Sequence, residues 1–294
     1  MLPLRVLANV LVLFVFLTPL PRAAAEPAAL RIAALDWGAV ELILGLGLVP
    51  VAVTQPEGYN RAVVAPTLPP SVVDLGLVVE PNLELLASLK PDIILGNPLQ
   101  VAAQGDLLRR IAPTEAVSAN SGSGSPYEGA RAETRRLAAR LGRDAEGEAL
   151  EARTDALLEA ASRACPGEGR AVYLIWIVDH RNVVVYGTKS LFQPVLDRMG
   201  LVNGWTGPTN GYGFAVVGVE QLAGVSGARF IHIGPVQSDA ARALADSRLW
   251  QSLPALRERP MATLAPVWFY GGLPAIGRFA TLMADLVREE CHRG

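Results

Sequence analysis

Cysteine and histidine are scarce in this chain of 294 residues, which contains two cysteines and three histidines. The histidines, His180, His232 and His292, are far apart, and no two have the i, i+4 spacing of a helical zinc site. The sequence therefore predicts no direct metal site. Basic stripes are missing as well, because 26 basic residues stand against 28 acidic ones and the net charge is −2. We expect no nucleic-acid partner.

Motifs of common enzyme classes are also missing. The chain has no G-x-S-x-G nucleophile motif, and Gly122-Ser123-Gly124 lies in a Ser/Gly-rich stretch that is typical of a flexible loop. Gly45-Leu46-Gly47 follows a helical pattern instead of a strand and lacks the third glycine of a dinucleotide-binding loop. The sequence therefore predicts no catalytic residues, no cofactor and no enzymatic activity.

The apolar run at the N-terminus is short. Arg5 precedes the apolar residues Leu7–Leu17, and Ala23-Ala24-Ala25 is typical of a signal-peptidase site. The run is too short for a comfortable membrane span. We therefore predict a signal peptide over residues 1–25 and an exported mature chain. No cysteine lies near the cleavage point, which argues against a lipid anchor.

The two cysteines, Cys165 and Cys291, both lie at predicted helix ends in the second half of the chain. In an exported protein such a pair favours a disulfide, and we predict that they form one. Two buried thiols that never meet are the alternative.

Short apolar strands alternate with helical stretches through the mature chain. In the segment Asp74–Leu95, Asn82 is placed to cap a helix whose apolar stripe includes Leu86, and the apolar run Ile93–Leu95 follows as a buried strand. Such alternation is typical of parallel sheets with flanking helices. Other elements predicted in this way include a strand at Leu30–Leu35, a helix at Val40–Leu46 and a helix near Leu107–Ile111.

A stretch rich in strong helix formers, Ala145–Ala164, separates two such α/β regions. We predict an α/β fold of two lobes with mainly parallel sheets, joined by one long rigid helix. The predicted boundaries are 26–142 for the N-terminal lobe, 143–166 for the connecting helix and 167–294 for the C-terminal lobe. The cleft between the lobes is the expected ligand site.

Glu84 and Glu220 occupy corresponding places in the two lobes. Each lies near a predicted helix start and ahead of a strand, Asp92–Leu95 for the first and Arg229–Ile233 for the second. A carboxylate in the first helical turn interacts favourably with the helix dipole, so helix capping alone is one interpretation of each. The matched pair favours a docking role.

Segments along most of the mature chain resemble periplasmic ferric-hydroxamate-binding proteins of the siderophore and vitamin-B12 class. The matching segments, in the family's order, are RIAALDW (31–37), VELILGLGLVP (40–50), LPPSVVDLGLVVEPNLELL (68–86), VVYGTKSLFQPVLDRMG (184–200), GWTGPTNGYG (204–213) and PVWFYGG (266–272). The resemblance implies the helical-backbone binding-protein fold, a periplasmic monomer and an iron(III)–siderophore ligand. It also implies delivery to an ABC permease of the inner membrane, with Glu84 and Glu220 paired with permease arginines.

The resemblance also assigns cleft residues, position by position. Tyr212 replaces a family tryptophan with a smaller aromatic ring, and the positions that match are Trp37, Asn210, Trp268, Phe269 and Tyr270. Three consecutive aromatic rings cannot all be buried on one side of a strand, so at least one ring of the last three is expected to face the cleft. Core packing before the last helix is the alternative for them.

The N-terminal wall of the cleft departs from the family's pattern. Val78 stands where the family has an arginine that grips the iron-bound oxygens, and the position of a family tyrosine falls near Leu99-Gln100. Two family tryptophans appear as Ala62 and Gly96. Arg61 and Gln100 are therefore the candidate ligand contacts on this wall, and a solvated surface arginine is the alternative for Arg61.

The ligand expected from these features is a ferric siderophore, of the hydroxamate type in the first instance. Two alternatives stay open. One is a different bulky chelate, namely a catecholate siderophore, haem or cobalamin. The other is an exported sensor module or enzyme built on the same fold, since fold alone does not give function.

Overall fold

The structure is a computed structural model that describes residues 30–119, 124–164, 169–234 and 238–293. The predicted signal peptide and Cys165 lie outside these residues. Within the described ranges, no helix has the length and apolar character that crossing a membrane requires.

Five parallel strands and their connecting helices form the first half of the fold. The strand order across this sheet is β3-β2-β1-β4-β5. Its strands are β1 (Ile32–Ala34), β2 (Ala52–Val53), β3 (Val73–Asp74), β4 (Ile93–Gly96) and β5 (Thr114–Ala116). The helices are α1 (Trp37–Gly45), α2 (Pro56–Ala62), α3 (Leu83–Ser88), α4 (Pro98–Leu108) and α5 (Pro126–Leu141), followed by the long α6 (Asp144–Ser162).

A mixed sheet forms the second half, with the order β11-β10-β6-β7-β9 and with β8 paired to β6. Its strands are β6 (Ala171–Ile177), β7 (Asn182–Tyr186), β8 (Val202–Asn203), β9 (Phe214–Gly218), β10 (Arg229–Ile233) and β11 (Ala262–Leu264). The helices are α7 (Gln193–Arg198), a 3₁₀ helix (Val219–Gly224), α8 (Ser238–Ala245), α9 (Arg248–Ser252), α10 (Pro254–Glu258) and α11 (Leu273–Arg293). β6, β7 and β9 are antiparallel neighbours, and the other pairings are parallel.

These two sheets, with α6 between them in the chain, confirm the predicted fold class. Helix α6 packs along α11 and also against α5 and α7. One apolar core includes Leu95 of the first sheet, Leu174 of the second, Leu150 of α6 and Phe279 of α11. The two lobes are therefore joined by shared packing as well as by the chain. The lobe boundaries themselves stay a prediction.

Two helices begin at places other than those predicted. Helix α1 starts at Trp37, three residues before the predicted start at Val40, because the Asp36 carboxylate accepts hydrogen bonds from the backbone N–H groups of Gly38 and Ala39. The helix expected near Leu107–Ile111 was wrongly placed. Helix α4 instead begins at Pro98, because Asn97 and Gln100 form a capping box at its start. It ends at Leu108.

A buried carboxyl group joins α1 to the start of α11. Glu41 is fully buried, and its Oε2 accepts a hydrogen bond of 3.1 Å from the backbone N–H of Gly272. Burial raises the pKa of Glu41 to about 8, although the Gly272 bond and the charge of Arg278 lower it. A Cβ at Gly271 would lie 2.2 Å from Oε2, so only glycine fits against this carboxyl group.

The same interface brings two segments of backbone together at the start of α1. A Cβ placed on Gly38 would lie 2.6 Å from the carbonyl oxygen of Tyr270, well inside contact distance. Glycine at 38 and 271 thus lets the segment that leads into α11 lie directly on α1. This contact fixes the position of residues 268–270.

We expect Glu41→Gln to be stabilising at alkaline pH. The folded state holds the Glu41 proton up to about pH 8, whereas the unfolded chain releases it near the ordinary glutamate pKa of 4.5. Wild-type stability from this group is therefore greatest below pH 4.5 and is lost as the pH rises towards 8, by about 1.4 kcal/mol per unit. Glutamine keeps the hydrogen-bond acceptor and carries no proton to lose.

Thermal unfolding from pH 5 to pH 8 measures this effect. The melting temperature of Glu41→Gln should rise relative to that of the wild type across the range. Glu57→Gln, at an exposed position in α2, is the matched control and should show no such trend. A constant difference between Glu41→Gln and the wild type would contradict the assignment.

Candidate functional site

A cleft of about 360 Å³ lies between the two halves of the fold. From the first sheet, its lining residues follow the carboxyl ends of all five parallel strands, the position where ligands bind in open α/β sheets. From the second half, it is lined by residues that precede β9 or follow β11. The lining residues are Asp36, Trp37, Gln55, Val78, Asn97, Pro98, Leu99, Val117, Ser118, Tyr212, Trp268 and Tyr270.

The polar floor of the cleft is built on Asp36 and Asn97. Asp36 Oδ1 accepts hydrogen bonds from the N–H groups of Gly38 (2.9 Å) and Ala39 (3.3 Å), and its Oδ2 accepts one from Asn97 Nδ2 (3.2 Å). Burial raises the pKa of Asp36, and these hydrogen bonds partly offset the rise. The two residues therefore hold each other, and the start of α1, in a fixed orientation.

Gln100 supports the N-terminal wall through hydrogen bonds made outside the cleft lining. Its Nε2 donates to the carbonyl oxygens of Leu35 (2.9 Å) and Val78 (3.1 Å), and its Oε1 accepts from the N–H of Asn97 (3.0 Å). Gln100 is not among the described residues that line the cleft. The structure thus places this predicted ligand contact in the support of the wall. Val78, at the position of the family's arginine, does line the cleft.

Aromatic side chains from both halves of the fold form a second wall, the aromatic wall, with Trp37 from α1 and Tyr212, Trp268 and Tyr270 from the second half. The rings of Trp37 and Trp268 are 4.9 Å apart, and those of Tyr212 and Tyr270 meet edge to face at 4.7 Å. The indole N–H of Trp37 donates to the carbonyl oxygen of Thr54 at 3.0 Å, which fixes that ring. Burial raises the pKa of Tyr270, and Tyr212 and Asp36 raise it further. The Tyr270 hydroxyl therefore stays protonated and can donate to a ligand oxygen.

The prediction assumed that the aromatic triplet Trp268–Tyr270 is on a strand, and the structure shows that it is not. It lies in the turn between β11 and α11, where all three rings are partly buried. Trp268 and Tyr270 line the cleft, whereas Phe269 lines a neighbouring cavity that also includes Trp268. The turn separates the three rings in space, so they serve two surfaces.

Two predicted contacts lie away from the described cleft lining. Arg61, in the last turn of α2, is exposed and forms an ion pair of 3.6 Å with Glu57. The Oδ1 of Asn210 accepts from the N–H groups of Tyr212 (2.9 Å) and Phe214 (3.2 Å), so this side chain shapes the turn that carries Tyr212. The structure therefore brings together Trp37, Tyr212, Trp268 and Tyr270, and leaves Arg61 and Asn210 outside.

The predicted residues omit the polar floor of the cleft. Asp36 and Asn97 each come directly after a short apolar strand, and this position was the available signal. Gln55 gave no such signal, because its exposure to the cleft depends on a left-handed backbone conformation with φ of 49°. A non-glycine residue in that conformation is uncommon and is often found at functional sites.

The proposed docking residues both lie on the surface. Glu84 is exposed in the first turn of α3, whose N-cap Asn82 accepts a hydrogen bond of 2.9 Å from the N–H of Leu85. Glu220 is exposed at the start of the 3₁₀ helix. Their docking role stays a prediction. The Cys165–Cys291 disulfide also stays a prediction, since Cys165 lies outside the described residues.

We expect Gln100→Glu to destabilise the protein by about 2 kcal/mol, because it replaces two partly buried donated hydrogen bonds by a carboxylate facing two carbonyl oxygens. Gln104→Glu, one turn later in α4, is the matched control; its Nε2 makes a single, longer bond of 3.3 Å to the carbonyl oxygen of Val79. Urea unfolding of both variants measures the difference. Equal stability of the two variants would show that Gln100 does not hold the wall.

Comparison with known proteins identifies the family of this chain. Residues 32–267 match the periplasmic binding protein family. The chain is 33% identical to the iron(3+)-hydroxamate-binding protein FhuD of Escherichia coli K12 over 258 residues, which cover 87% of this chain and 86% of FhuD.

Solved structures are similar as well. FhuD of Vibrio cholerae with bound Fe³⁺–desferal has a TM-score of 0.80 at 28% identity, covering 88% of this chain and 97% of that one. The catecholate-siderophore binding protein VctP of the same organism has a TM-score of 0.65 at 19% identity, covering 87% and 93%, which is a likeness of fold alone. The motifs, the family match and the shared fold lead to one conclusion: the chain belongs to the periplasmic binding protein family.

Proposed function

We propose that this protein binds a ferric siderophore of the hydroxamate type in the cleft and delivers it to an ABC permease of the inner membrane. The composition of the cleft carries the proposal. Trp37, Trp268 and Tyr270 give a broad aromatic surface, which suits the largely apolar exterior of a chelate wrapped around iron. The relatives support this class: one is named for iron(3+)-hydroxamate binding, and the other was solved with Fe³⁺–desferal.

The charge of the cleft favours hydroxamates over catecholates. A ferric tris-hydroxamate centre has no net charge, whereas a ferric tris-catecholate centre carries several negative charges. Among the described residues that line the cleft, Asp36 is the only carboxyl group and no arginine or lysine occurs. A polyanion would therefore meet one carboxyl group and no cation, which opposes binding. Val78 leaves the iron-bound oxygens to neutral donors such as the Tyr270 hydroxyl.

The remaining predicted properties belong to the same proposal. Export requires removal of residues 1–25, and the mature chain then consists of the lobes 26–142 and 167–294 joined by the helix 143–166. The protein acts as a monomer in the periplasm and binds its ligand without a chemical reaction. The FhuD relatives, which are binding proteins, support the non-catalytic role.

Docking on the permease completes the transport role. Glu84 and Glu220 are exposed carboxylates, one on each half of the fold, each in the first turn of a short helix. Exposed opposite charges steer association and set its register, so two permease arginines would orient the cleft towards the channel.

A ligand panel tests the ligand class. Titration of the mature protein with Fe³⁺–desferal, a ferric tris-catecholate, ferric citrate, haem and cobalamin, followed by tryptophan fluorescence, should show tight quenching with Fe³⁺–desferal. The response should shrink in Trp268→Phe and persist in Trp250→Phe, because Trp250 is buried in a separate core of the second sheet. Failure of every iron chelate would overturn the proposal.

Charge reversal tests the docking residues. The double variant Glu84→Arg/Glu220→Arg should abolish uptake of radioactive iron from Fe³⁺–desferal in cells that express the permease, while affinity for the chelate stays within about twofold. Glu57→Arg/Glu148→Arg, at two other exposed glutamates, is the matched control and should leave uptake intact. Unimpaired uptake by the first variant would refute the docking role.

A further inference from the structure

A second cavity, of about 210 Å³, lies beside the cleft and between the same two halves of the fold. We call it the side chamber; it is bounded by Trp37, Ala62, Trp176, Gly234, Trp268 and Phe269 together with Tyr186 and three aliphatic residues. Trp37 and Trp268 line both spaces. With ring centroids 4.9 Å apart, this pair forms the partition between the cleft and the chamber.

Small residues keep the side chamber open. Ala62 ends α2 on one side, and Gly234 follows β10 on the other. Gly234 has φ of 129°, and a Cβ added there would approach Trp176 Cδ1 to 3.2 Å. The chamber is about as open to solvent as the cleft itself, so it is a recess that a ligand can enter. The chamber is therefore better explained as a binding space than as imperfect packing.

Two indole N–H groups without acceptors in the described part of the chain belong to rings that line the side chamber. The indole nitrogens of Trp176 and Trp268 are buried, and neither has a hydrogen-bond partner among the described residues. A buried N–H group without an acceptor is costly. Trp176 and Trp268 both line the chamber, so each indole ring forms part of its wall. A carbonyl oxygen on a ligand would satisfy such a donor once the ring turns its N–H edge into the chamber.

We propose that the side chamber is a subsite for an apolar arm of the chelate, aromatic or short-chain acyl, that carries a carbonyl oxygen. The iron centre occupies the cleft, and the arm passes the Trp37–Trp268 pair into the chamber. An apolar cavity of roughly 150 Å³ suffices for benzene, so one ring fits. This subsite rests on the proposed siderophore-binding function and specifies the ligand further, because it distinguishes chelates with such an arm from those without one.

Two chelates with one iron centre test the subsite. Fe³⁺–desferal has a terminal amine, and its N-benzoyl derivative adds a phenyl ring and an amide carbonyl. The wild-type protein should bind the benzoyl derivative about tenfold more tightly, because the ring is removed from water in the chamber. Ala62→Phe, which fills the chamber, should remove this gain, so that the two chelates bind to the variant with equal affinity. Ala103→Phe, on the exposed face of α4, is the matched control.

A second measurement needs no variant in the chamber. The chain has five tryptophans, and their indole N–H resonances report separately on each ring. With diamagnetic Ga³⁺ in place of the paramagnetic Fe³⁺ in both chelates, the benzoyl derivative should shift the signals of Trp176 and Trp268 relative to the parent chelate. Those of Trp205 and Trp250, which lie in the separate core of the second sheet, should not move.

The outcomes distinguish the two proposals. Equal affinity of the wild type for both chelates, with no shift at Trp176, overturns the subsite and leaves siderophore binding intact. An equal loss of affinity for both chelates in Ala62→Phe likewise overturns it. Failure of the wild type to bind either chelate overturns the proposed function, and the subsite with it.

Discussion

The packing of α11 against α6 and α1 is the interaction on which the rest of the structure depends. Helix α11 is the last element of the chain, yet it contacts helices that belong with the first sheet as well as α7 of the second. The apolar core around Phe279 therefore continues from one sheet to the other. Separation of the lobes would cost free energy, because apolar area buried in this core at the junction would return to water.

This shared core accounts for the geometry of the cleft. The aromatic turn Trp268–Tyr270 leads into α11 and lies on α1, where the Glu41–Gly272 hydrogen bond and the close approach at Gly38 fix it. The walls of the cleft are thus set before any ligand arrives. A preformed site loses little conformational entropy on binding, so more of the contact energy is available for affinity. The single long helix α6 predicts small lobe motion for the same reason.

Local sequence patterns were sufficient to predict most of the fold but only part of the site. The apolar run in β4 and the Asn82 cap depend on neighbouring residues alone, so periodicity and capping rules were sufficient to predict them. The start of α4 at Pro98 depends on a reciprocal pair, Asn97 and Gln100, which the apolar pattern does not reveal. Within the cleft, the family motifs located Trp37 and Trp268, whereas the supporting role of Gln100 depends on contacts with residues far away in the chain.

The glycines at 38 and 271 divide the aromatic wall into a part that is free to vary in evolution and a part that is not. A side chain at either position would collide with Tyr270 or Glu41, so change there displaces the whole wall. The rings that the wall presents, and Ala62 opposite them, meet no such constraint on their backbone. A lineage could therefore exchange one chelate for another by substituting the presented side chains, while the scaffold that delivers the ligand to its permease is inherited unchanged.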